Sequence, residues 1–282
     1  MRFSVSFGFA LAFVTIGCAQ HADTGTAQST ATPAATASAA ASTAAAVATV
    51  APAAVTSPMA AAPAPTVSPT PAWPAVTFTD IAGIDAEPAI RALGQLGVLD
   101  STSGAFRPND SIKRRDYIRW LVKANNVYFK GTGNRIRLAE GKKATFVDVP
   151  PSDPDFKYIQ GMADTGYLVG YDTKHFKPDK NLSREEMIVI LISRDTGGKY
   201  SLGTGPPGYS DGDQVSTKYR AYINADSNDW NPSPGQIARI YGNIKTLRPL
   251  DDATRGDAAI AVSVIGGTSA QALVKAGPPP AS

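Results

Sequence analysis

Three arginines recur in the sequence at a fixed distance after a proline. Each proline ends a motif of a large apolar residue, a basic residue and proline, and an arginine follows six residues later. The motifs are Phe106-Arg107-Pro108, Phe176-Lys177-Pro178 and Leu247-Arg248-Pro249, and the arginines are Arg114, Arg184 and Arg255. A guanidinium group is planar and can pair with a carboxylate through two parallel hydrogen bonds. The pattern therefore indicates either binding sites for an acidic ligand or internal ion pairs with a neighbouring repeat.

Each of these arginines is predicted to lie in the first turn of a helix. Ser183-Arg184-Glu185-Glu186 and Thr254-Arg255-Gly256-Asp257 have the pattern of a capping box, in which the first and fourth residues exchange side-chain to backbone hydrogen bonds. Lys113 holds the cap position in the first repeat, so we expect the start of that helix to be looser. Free backbone N–H groups and the helix dipole at such helix starts favour an anionic ligand.

A second helix is predicted in the opening half of the first two repeats. The repeats open with Phe78-Thr79-Asp80-Ile81, Phe146-Val147-Asp148-Val149 and, more weakly, Tyr209-Ser210-Asp211. The apolar helix faces that follow are Ala89, Ile90, Leu93 and Leu96, and Tyr158, Ile159, Met162 and Ala163. Gly97 and Gly166 suit the ends of these helices, and Gly104 and Gly170 suit loop positions with positive φ. Each repeat is thus predicted to be helix, loop, helix.

The repeats resemble the S-layer homology domain. The second repeat matches best, through 146–149, Gly166-Tyr167-Leu168-Val169-Gly170-Tyr171-Asp172, 176–179 and 183–186, whereas the third lacks the aromatic residue at Leu247. The resemblance implies a mainly α fold of three helix-loop-helix repeats in a pseudo-threefold arrangement. It also implies that grooves between repeats bind envelope polysaccharide, often carrying pyruvate ketals, and that Arg114, Arg184 and Arg255 contact this ligand.

Four further residues are candidates for the ligand site. Asp80 and Asp148 precede the opening helices, where an aspartate can bind a ligand or satisfy exposed backbone donors of a turn. Gly170 lies in the loop of the second repeat. Trp230 lies in a polar insertion of the third repeat, 226–235, where an exposed indole ring could stack on a sugar.

The amino terminus has the pattern of an export signal. Arg2 precedes an apolar stretch from Phe3 to Ile16, which is shorter than the roughly 20 residues of a membrane-spanning helix. Thr15-Ile16-Gly17-Cys18 resembles a bacterial lipobox, in which the cysteine is lipidated, although Thr15 replaces the usual aliphatic residue. The alternative is ordinary cleavage nearby, with Cys18 an incidental thiol.

The organisation predicted along the chain has seven parts. They are a signal peptide (1–17), a lipidated N-terminus and disordered Ala/Thr/Pro-rich linker (18–75), the first repeat (76–127), a basic connecting loop (128–145), the second repeat (146–200), a divergent third repeat (201–267) and a C-terminal tail (268–282). The linker lacks the large apolar side chains whose burial could offset the entropy of ordering its backbone. The connecting loop carries Lys130, Arg135, Arg137, Lys142, Lys143 and Glu140. Such a loop either attracts an anionic polymer or is simply solvated.

Composition excludes several classes of function. The formal net charge of +3 is too small for a protein that binds nucleic acid through a broad basic face. One cysteine and two histidines cannot form a multi-cysteine or multi-histidine zinc site, and no isolated acidic pair suggests a glycosidase.

The sequence predicts a non-catalytic cell-envelope protein without a cofactor, which binds wall polysaccharide and is held to the membrane by a lipid at Cys18. The alternative is an adaptor that uses the same fold to bind other envelope proteins.

Overall fold

The computed structural model describes residues 72–141, 143–168, 172–197, 203–227 and 235–278. All of them belong to one structural unit of the chain, Pro65–Ser282. In these ranges the protein is mainly helical, with eight α-helices and four two-residue strands, as the sequence predicts. No helix in these ranges has the length and apolar character needed to cross a membrane.

The helices and strands follow the predicted order of the repeats. The α-helices are α1 (Glu87–Gln95), α2 (Arg114–Tyr128), α3 (Phe156–Asp164), α4 (Arg184–Thr196), α5 (Arg220–Ser227), α6 (Gln236–Tyr241), α7 (Arg255–Val262) and α8 (Ala270–Lys275). The strands are β1 (Thr77–Phe78), β2 (Ser103–Gly104), β3 (Val264–Ile265) and β4 (Thr268–Ser269), and 3-10 helices span Gly212–Gln214 and Thr217–Tyr219. β1 pairs with β2 in parallel, and β3 pairs with β4 in antiparallel orientation.

A closed ring of backbone hydrogen bonds joins the three repeats. The N–H of Leu182 donates to the carbonyl of Ile112 at 2.9 Å, and the N–H of Ala253 donates to the carbonyl of Leu182 at 2.8 Å. The N–H of Ile112 donates in turn to the carbonyl of Ala253 at 3.0 Å. All three side chains are buried. Because each repeat donates to one neighbour and accepts from the other, the ring closes only when all three are present.

The helices pack in the same cyclic order. The closing helix α2 packs on α3, α4 packs on α5, and α7 packs back on α1 of the first repeat. The main core spans all three repeats and includes Trp120, which is fully buried and stacks on Phe106 with ring centroids 5.9 Å apart. A second apolar cluster covers the outer side of α4 with residues of the third repeat, including Val215, Tyr219 and Ile223.

Both predicted capping boxes are present, at α4 and α7. The Ser183 hydroxyl accepts from the backbone N–H of Glu186 at 3.3 Å, and the Glu186 carboxylate accepts from the N–H of Ser183 at 3.1 Å. Thr254 and Asp257 form the same pair of bonds at 3.0 and 3.1 Å. Sequence alone therefore located these two helix starts correctly.

The start of α2 has no side-chain cap at Lys113, as the sequence indicates. It is not loose, because the N–H groups of Arg114 and Arg115 each donate at 3.0 Å to carbonyls of the second repeat, those of Lys180 and Pro178. The neighbouring repeat thus provides the hydrogen bonds that a capping side chain provides in α4 and α7.

The chain after residue 267, predicted to be a tail, folds onto the first repeat. β4 pairs with β3, and α8 packs on α1 with Ala270 buried. The Trp73 indole N–H donates to the carbonyl of Val274 at 2.8 Å, so the two ends of the described chain meet. The apolar pattern of α8 is only one turn and a half long, too short to be distinguished from a polar tail by its periodicity.

Candidate functional site

Arg114 lies between the first and second repeats, and its side chain is 0% exposed. Its Nε donates a hydrogen bond to the Phe176 carbonyl at 2.8 Å, and its guanidinium carbon lies 4.8 Å from the centroid of the Phe176 ring. Its Nη1 lies 3.3 Å from Oε2 of Glu186, which belongs to the second repeat and is also buried. A ligand could reach this guanidinium only if the junction opened.

Arg255 occupies the corresponding position between the third and first repeats. Its Nε donates to the Phe106 carbonyl at 2.9 Å, and its guanidinium carbon lies 4.8 Å from the Phe106 ring and 5.0 Å from the Trp120 ring. The residue is half-buried. Burial lowers the pKa of Arg255, although nearby carboxylates oppose this effect. Arg255 therefore repeats the packing of Arg114 but, as a residue, is less enclosed.

Arg184 lies between the second and third repeats and departs from the pattern of the other two. Its guanidinium carbon lies 3.6 Å from the centroid of the Tyr241 ring on α6. Its buried Nε has no hydrogen-bond partner among the described residues, whereas the Nε groups of Arg114 and Arg255 donate to carbonyls of aromatic residues. Leu247 replaces the aromatic residue in the third repeat, and Tyr241 supplies the ring that packs on the arginine instead.

The free helix N-termini expected from the sequence are occupied. In α4, the N–H groups of Arg184 and Glu185 donate to carbonyls of the third repeat at 2.9 and 3.0 Å. In α7, the N–H groups of Arg255 and Gly256 donate to Asp110 and Pro108 of the first repeat at 2.9 and 2.8 Å. The expectation that these N–H groups are available to an anion is therefore wrong. The donors are used because each helix starts where the neighbouring repeat turns.

Asp148 holds the turn that carries the aromatic-basic-proline motif of the second repeat. Its carboxylate oxygens accept hydrogen bonds from the N–H groups of Phe176 and Lys177 at 2.9 and 2.7 Å. Lys177 has a φ of 54°, in the left-handed region that residues other than glycine seldom adopt. Fixing both N–H groups stabilises this turn, so the structure gives Asp148 a local role. Its role in ligand binding stays a prediction.

The same arrangement recurs in the other two repeats. Asp80 accepts from Phe106 and Arg107, and Asp211 accepts from Leu247 and Arg248, each at 2.7 or 2.8 Å. Arg107 and Arg248 have φ values of 57° and 55°. Desolvation by itself would raise the pKa of Asp80, but the two backbone hydrogen bonds outweigh it and hold the pKa below its usual value. A ligand role for Asp80 likewise stays a prediction.

An ionic network that sequence analysis missed fills the groove between the first two repeats. Arg119 pairs with Asp155 at 2.7 Å, with Asp100 at 2.8 Å and with Asp116 at 2.6 Å. Burial alone would lower the pKa of Arg119, but its hydrogen bonds to Asp100 and Asp155 raise it above the ordinary value. Arg115 adds pairs to Asp155 and to two further aspartates on the second repeat. The charges in this groove are therefore largely neutralised by the protein itself.

A groove between the third and first repeats is open. A cavity of about 490 Å³ lies beside Tyr241 and is lined by Asp85, just before α1, and by residues of α1, α6 and α7, among them Arg239 and Ile260. The groove between the first two repeats, the first groove, is crossed by ion pairs of Arg115 and Arg119 on α2. On α7, Gly256 and Ile260 stand at the corresponding positions, so these pairs have no counterpart there. Neither Arg184 nor Arg255 lines this cavity, but Tyr241, whose ring packs on Arg184, borders it. The cavity and these two half-buried arginines are the candidate ligand-binding features.

Three of the predicted functional residues lie outside the part of the chain that the structure describes. They are Cys18, Gly170 and Trp230. Gly104, which corresponds to Gly170 in the first repeat, has the predicted positive φ, at 82°. No cluster of three or more histidine, cysteine or acidic side chains suited to a metal ion occurs among the described residues.

Asp195 is a buried carboxylate at the end of α4, where β3 and β4 turn. Its side chain is 2% exposed, accepts a hydrogen bond from the N–H of Gly266 at 3.1 Å and contacts the amide of Gln236. Burial raises the pKa of Asp195 to about 6, and the Arg194 and Arg239 guanidinium groups offset only part of this shift.

This carboxylate predicts a dependence of stability on pH. Because its pKa is higher in the folded protein than in the unfolded chain, the folded state binds more protons between about pH 4 and 6. The free energy of unfolding should therefore fall as pH rises through this window, by roughly 1–3 kcal/mol from this group. Urea unfolding of wild type and Asp195→Asn at pH 4, 5, 6 and 7 measures the effect. We expect the difference between the two proteins to change across the window; parallel curves would contradict the assignment.

The sequence comparisons agree with the repeats seen in the fold. The family model of the S-layer homology domain matches residues 77–118 and 145–188, which cover the opening and the closing-helix start of the first two repeats. A search of curated proteins gives no significant match to the chain.

Proposed function

We propose that this chain is a non-catalytic cell-envelope anchoring protein that binds wall polysaccharide through the grooves between its repeats. S-layer homology domains generally mediate cell-wall anchoring, and two segments of the chain match that domain. The observation that carries the proposal is the closed ring of Ile112, Leu182 and Ala253, which includes a third repeat in the same arrangement as the two matched ones. We infer that 201–267 is a third, divergent S-layer homology unit.

The ligand we propose is an anionic polysaccharide, including polymers that carry pyruvate ketals. A guanidinium group with exposed surface can pair with a ketal carboxylate. Arg184 and Arg255 are half-buried at two of the repeat junctions, and the cavity borders Tyr241, whose ring packs on Arg184, so a sugar has room beside that contact. Arg114 is enclosed and its groove is filled by the Arg119 network, so we assign the first groove the weakest part in binding.

We further propose that the amino terminus anchors this head to a membrane. Its support is the sequence: an export signal at 1–17, a lipobox-like cysteine at Cys18 and an Ala/Thr/Pro-rich spacer up to residue 75. Such a protein would connect the lipid bilayer to the wall, on the periplasmic face of an outer membrane or at the cell surface. Mass spectrometry of the mature amino terminus tests this part separately, and an unmodified cysteine or a different cleavage site would refute it.

Co-sedimentation of the full chain with purified cell-wall sacculi tests the wall-binding function. We expect wild type to sediment with the sacculi, and Arg184→Ala to bind about tenfold more weakly or worse, which corresponds to one lost charge-assisted hydrogen bond. Arg184→Lys keeps the charge but loses the fork, so it should fall between the two. Arg91→Ala, an exposed arginine paired within α1, is the matched control and should bind as wild type does.

An adaptor function is the second candidate, in which the same fold binds an envelope protein rather than a glycan. The enclosure of Arg114 and the neutralised first groove favour it, because a wall-binding protein gains nothing from arginines it cannot present. If wild type and Arg184→Ala, both folded by circular dichroism, remain equally in the supernatant, the glycan function is refuted and the adaptor remains. Loss of wild-type sedimentation after mild acid removal of pyruvate would favour the glycan.

A further inference from the structure

The basic connecting segment between the first two repeats, 129–145, is attached to its surroundings at several points. The Asn126 side chain on α2 accepts from the N–H of Ile136 at 2.8 Å and donates to the carbonyl of the same residue at 2.9 Å. Further along, the N–H of Ala139 donates to the Lys157 carbonyl at 3.1 Å. Ile136 is buried in the main core. The described part of this segment is therefore held in place along its length, not only at its ends.

Two contacts with α3 set the position of this segment. The Gln160 side chain accepts from the N–H of Thr145 at 2.8 Å and donates to its hydroxyl at 2.8 Å. At Gly161, a Cβ atom would lie only 2.4 Å from the carbonyl oxygen of Arg137, so the backbone of the segment approaches the helix more closely than any side chain permits. The space between the segment and α3 is consequently shaped by backbone contacts.

That space is a cavity of about 790 Å³, within the range of small-molecule binding pockets, roughly 300–1,000 Å³. Arg135, Arg137 and Lys143 line it, and all three are exposed. Their side chains make no ion pair and no hydrogen bond with any described residue, in contrast to Arg115 and Arg119 on α2. Three cationic groups thus line one cavity, and none of them is in an ion pair with a described carboxylate.

The rest of the lining identifies the kind of anion. Thr145, Gln160 and Thr165 place hydroxyl and amide groups at the cavity, and the carboxylates of Asp164 and Glu140 also line it. A saccharide bearing an acidic group fits this mixture, because its hydroxyls can donate to carboxylate and amide oxygens while its acid pairs with guanidinium. A polyanion without hydroxyl groups would leave the two carboxylates without hydrogen-bond donors. A flat membrane surface cannot enter a concave site.

We propose that this cavity is a second saccharide site, which binds a sugar carrying a carboxylate through Arg135, Arg137 and Lys143. It lies apart from the arginines of the helix starts and is built within the connecting segment and α3. The inference rests on the proposed wall-binding function for the class of ligand, and on the contacts above for the place. With two such sites, the three-repeat domain would bind one polysaccharide molecule at two separate points along the polysaccharide. The second site would strengthen the overall binding without a new contact at the first.

The test is calorimetric titration of the full chain with trigalacturonic acid, and with maltotriose as the neutral probe. The cleft variant carries Arg135→Ala, Arg137→Ala and Lys143→Ala. The control variant carries Lys174→Ala, Lys245→Ala and Lys275→Ala, which removes the same charge from three other exposed positions. Wild type should bind trigalacturonic acid and not maltotriose. The cleft variant should lose about tenfold or more in affinity, while the control variant should lose no more than about twofold.

Three results would overturn the inference. They are no binding by wild type, equal loss in the cleft and control variants, or equal affinity for maltotriose. Gly161→Ala provides a check without any change of charge, because the added Cβ must displace the backbone of Arg137. This variant should bind trigalacturonic acid more weakly while circular dichroism shows that it is folded. Failure here differs from failure of the wall-binding function. Wild type that sediments with sacculi but ignores trigalacturonic acid would keep the function and reject this site.

Discussion

Arg114→Ala is expected to lower the free energy of unfolding by about 3–5 kcal/mol, the usual effect of removing one partner of a buried ion pair. The substitution removes the guanidinium 3.3 Å from the buried Glu186, which keeps Lys180 at 3.3 Å as a partner, so the lower end of this range is expected. It also removes the donor to the Phe176 carbonyl and the cation packed on the Phe176 ring. Because this contact joins two repeats, its loss should weaken the ring as a whole and leave unfolding cooperative.

Urea denaturation followed by circular dichroism measures this effect. Arg91→Ala is the matched control, since Arg91 forms an exposed pair with Glu87 on α1 and should change stability by no more than about 1 kcal/mol. Arg114→Lys keeps the charge and loses the planar fork, so an intermediate loss is expected. A loss below about 1 kcal/mol for Arg114→Ala would show that the junction relaxes around the change and that the arginine is available for another role.

Asp148→Ala is expected to lower the free energy of unfolding by about 2–3 kcal/mol. Its two carboxylate oxygens accept from the N–H of the buried Phe176 and from the N–H of the exposed Lys177. An unpaired buried donor costs about 1–3 kcal/mol, and one that water reaches costs less. Lys177 holds a left-handed backbone that the turn imposes on it. Without the carboxylate, the turn has less to offset that strain.

Thermal and urea unfolding of Asp148→Ala and Asp148→Asn should separate the two bonds. Asn keeps one acceptor oxygen, so we expect about half the loss seen with Ala. The control is Asp179→Ala, because the Asp179 side chain is 80% exposed and pairs only with the half-buried Arg115 at the described part of the surface. An equal loss in Asp148→Asn and Asp148→Ala would point to steric or packing effects rather than to the hydrogen bonds.

These two variants also bear on function. If Arg114 and Asp148 were needed chiefly for ligand binding, their substitution would reduce sedimentation with sacculi and leave stability unchanged. The contacts of both residues predict the opposite result, in which the main effect of either substitution is a lower free energy of unfolding. Arg184 is the contrasting position, because the residue is only half-buried and its buried Nε has no hydrogen-bond partner among the described residues.

Local sequence signals predicted the local structure well. The capping boxes at Ser183 and Thr254 located the starts of α4 and α7, and Gly97 and Gly166, with φ values of 69° and 75°, follow α1 and α3 as expected. These features depend on hydrogen bonds and backbone preferences within a few residues of each other. The tail after residue 267 was the exception: Ser269 caps α8 by accepting from the N–H of Ala272 at 3.1 Å, but the helix is short and packs on α1.

The repeat spacing by itself predicted three similar units, the starts of their closing helices α2, α4 and α7 and the arginine at each start. Only the tertiary structure decided what those arginines face. Arg255 packs on Phe106, 149 residues away, and Arg114 on Phe176, 62 residues away. The sequence of one repeat does not distinguish an arginine that binds a ligand from an arginine that binds the neighbouring repeat. The partner of each guanidinium and of each helix N-terminus is contributed by another repeat. That partner becomes definite only when the ring closes.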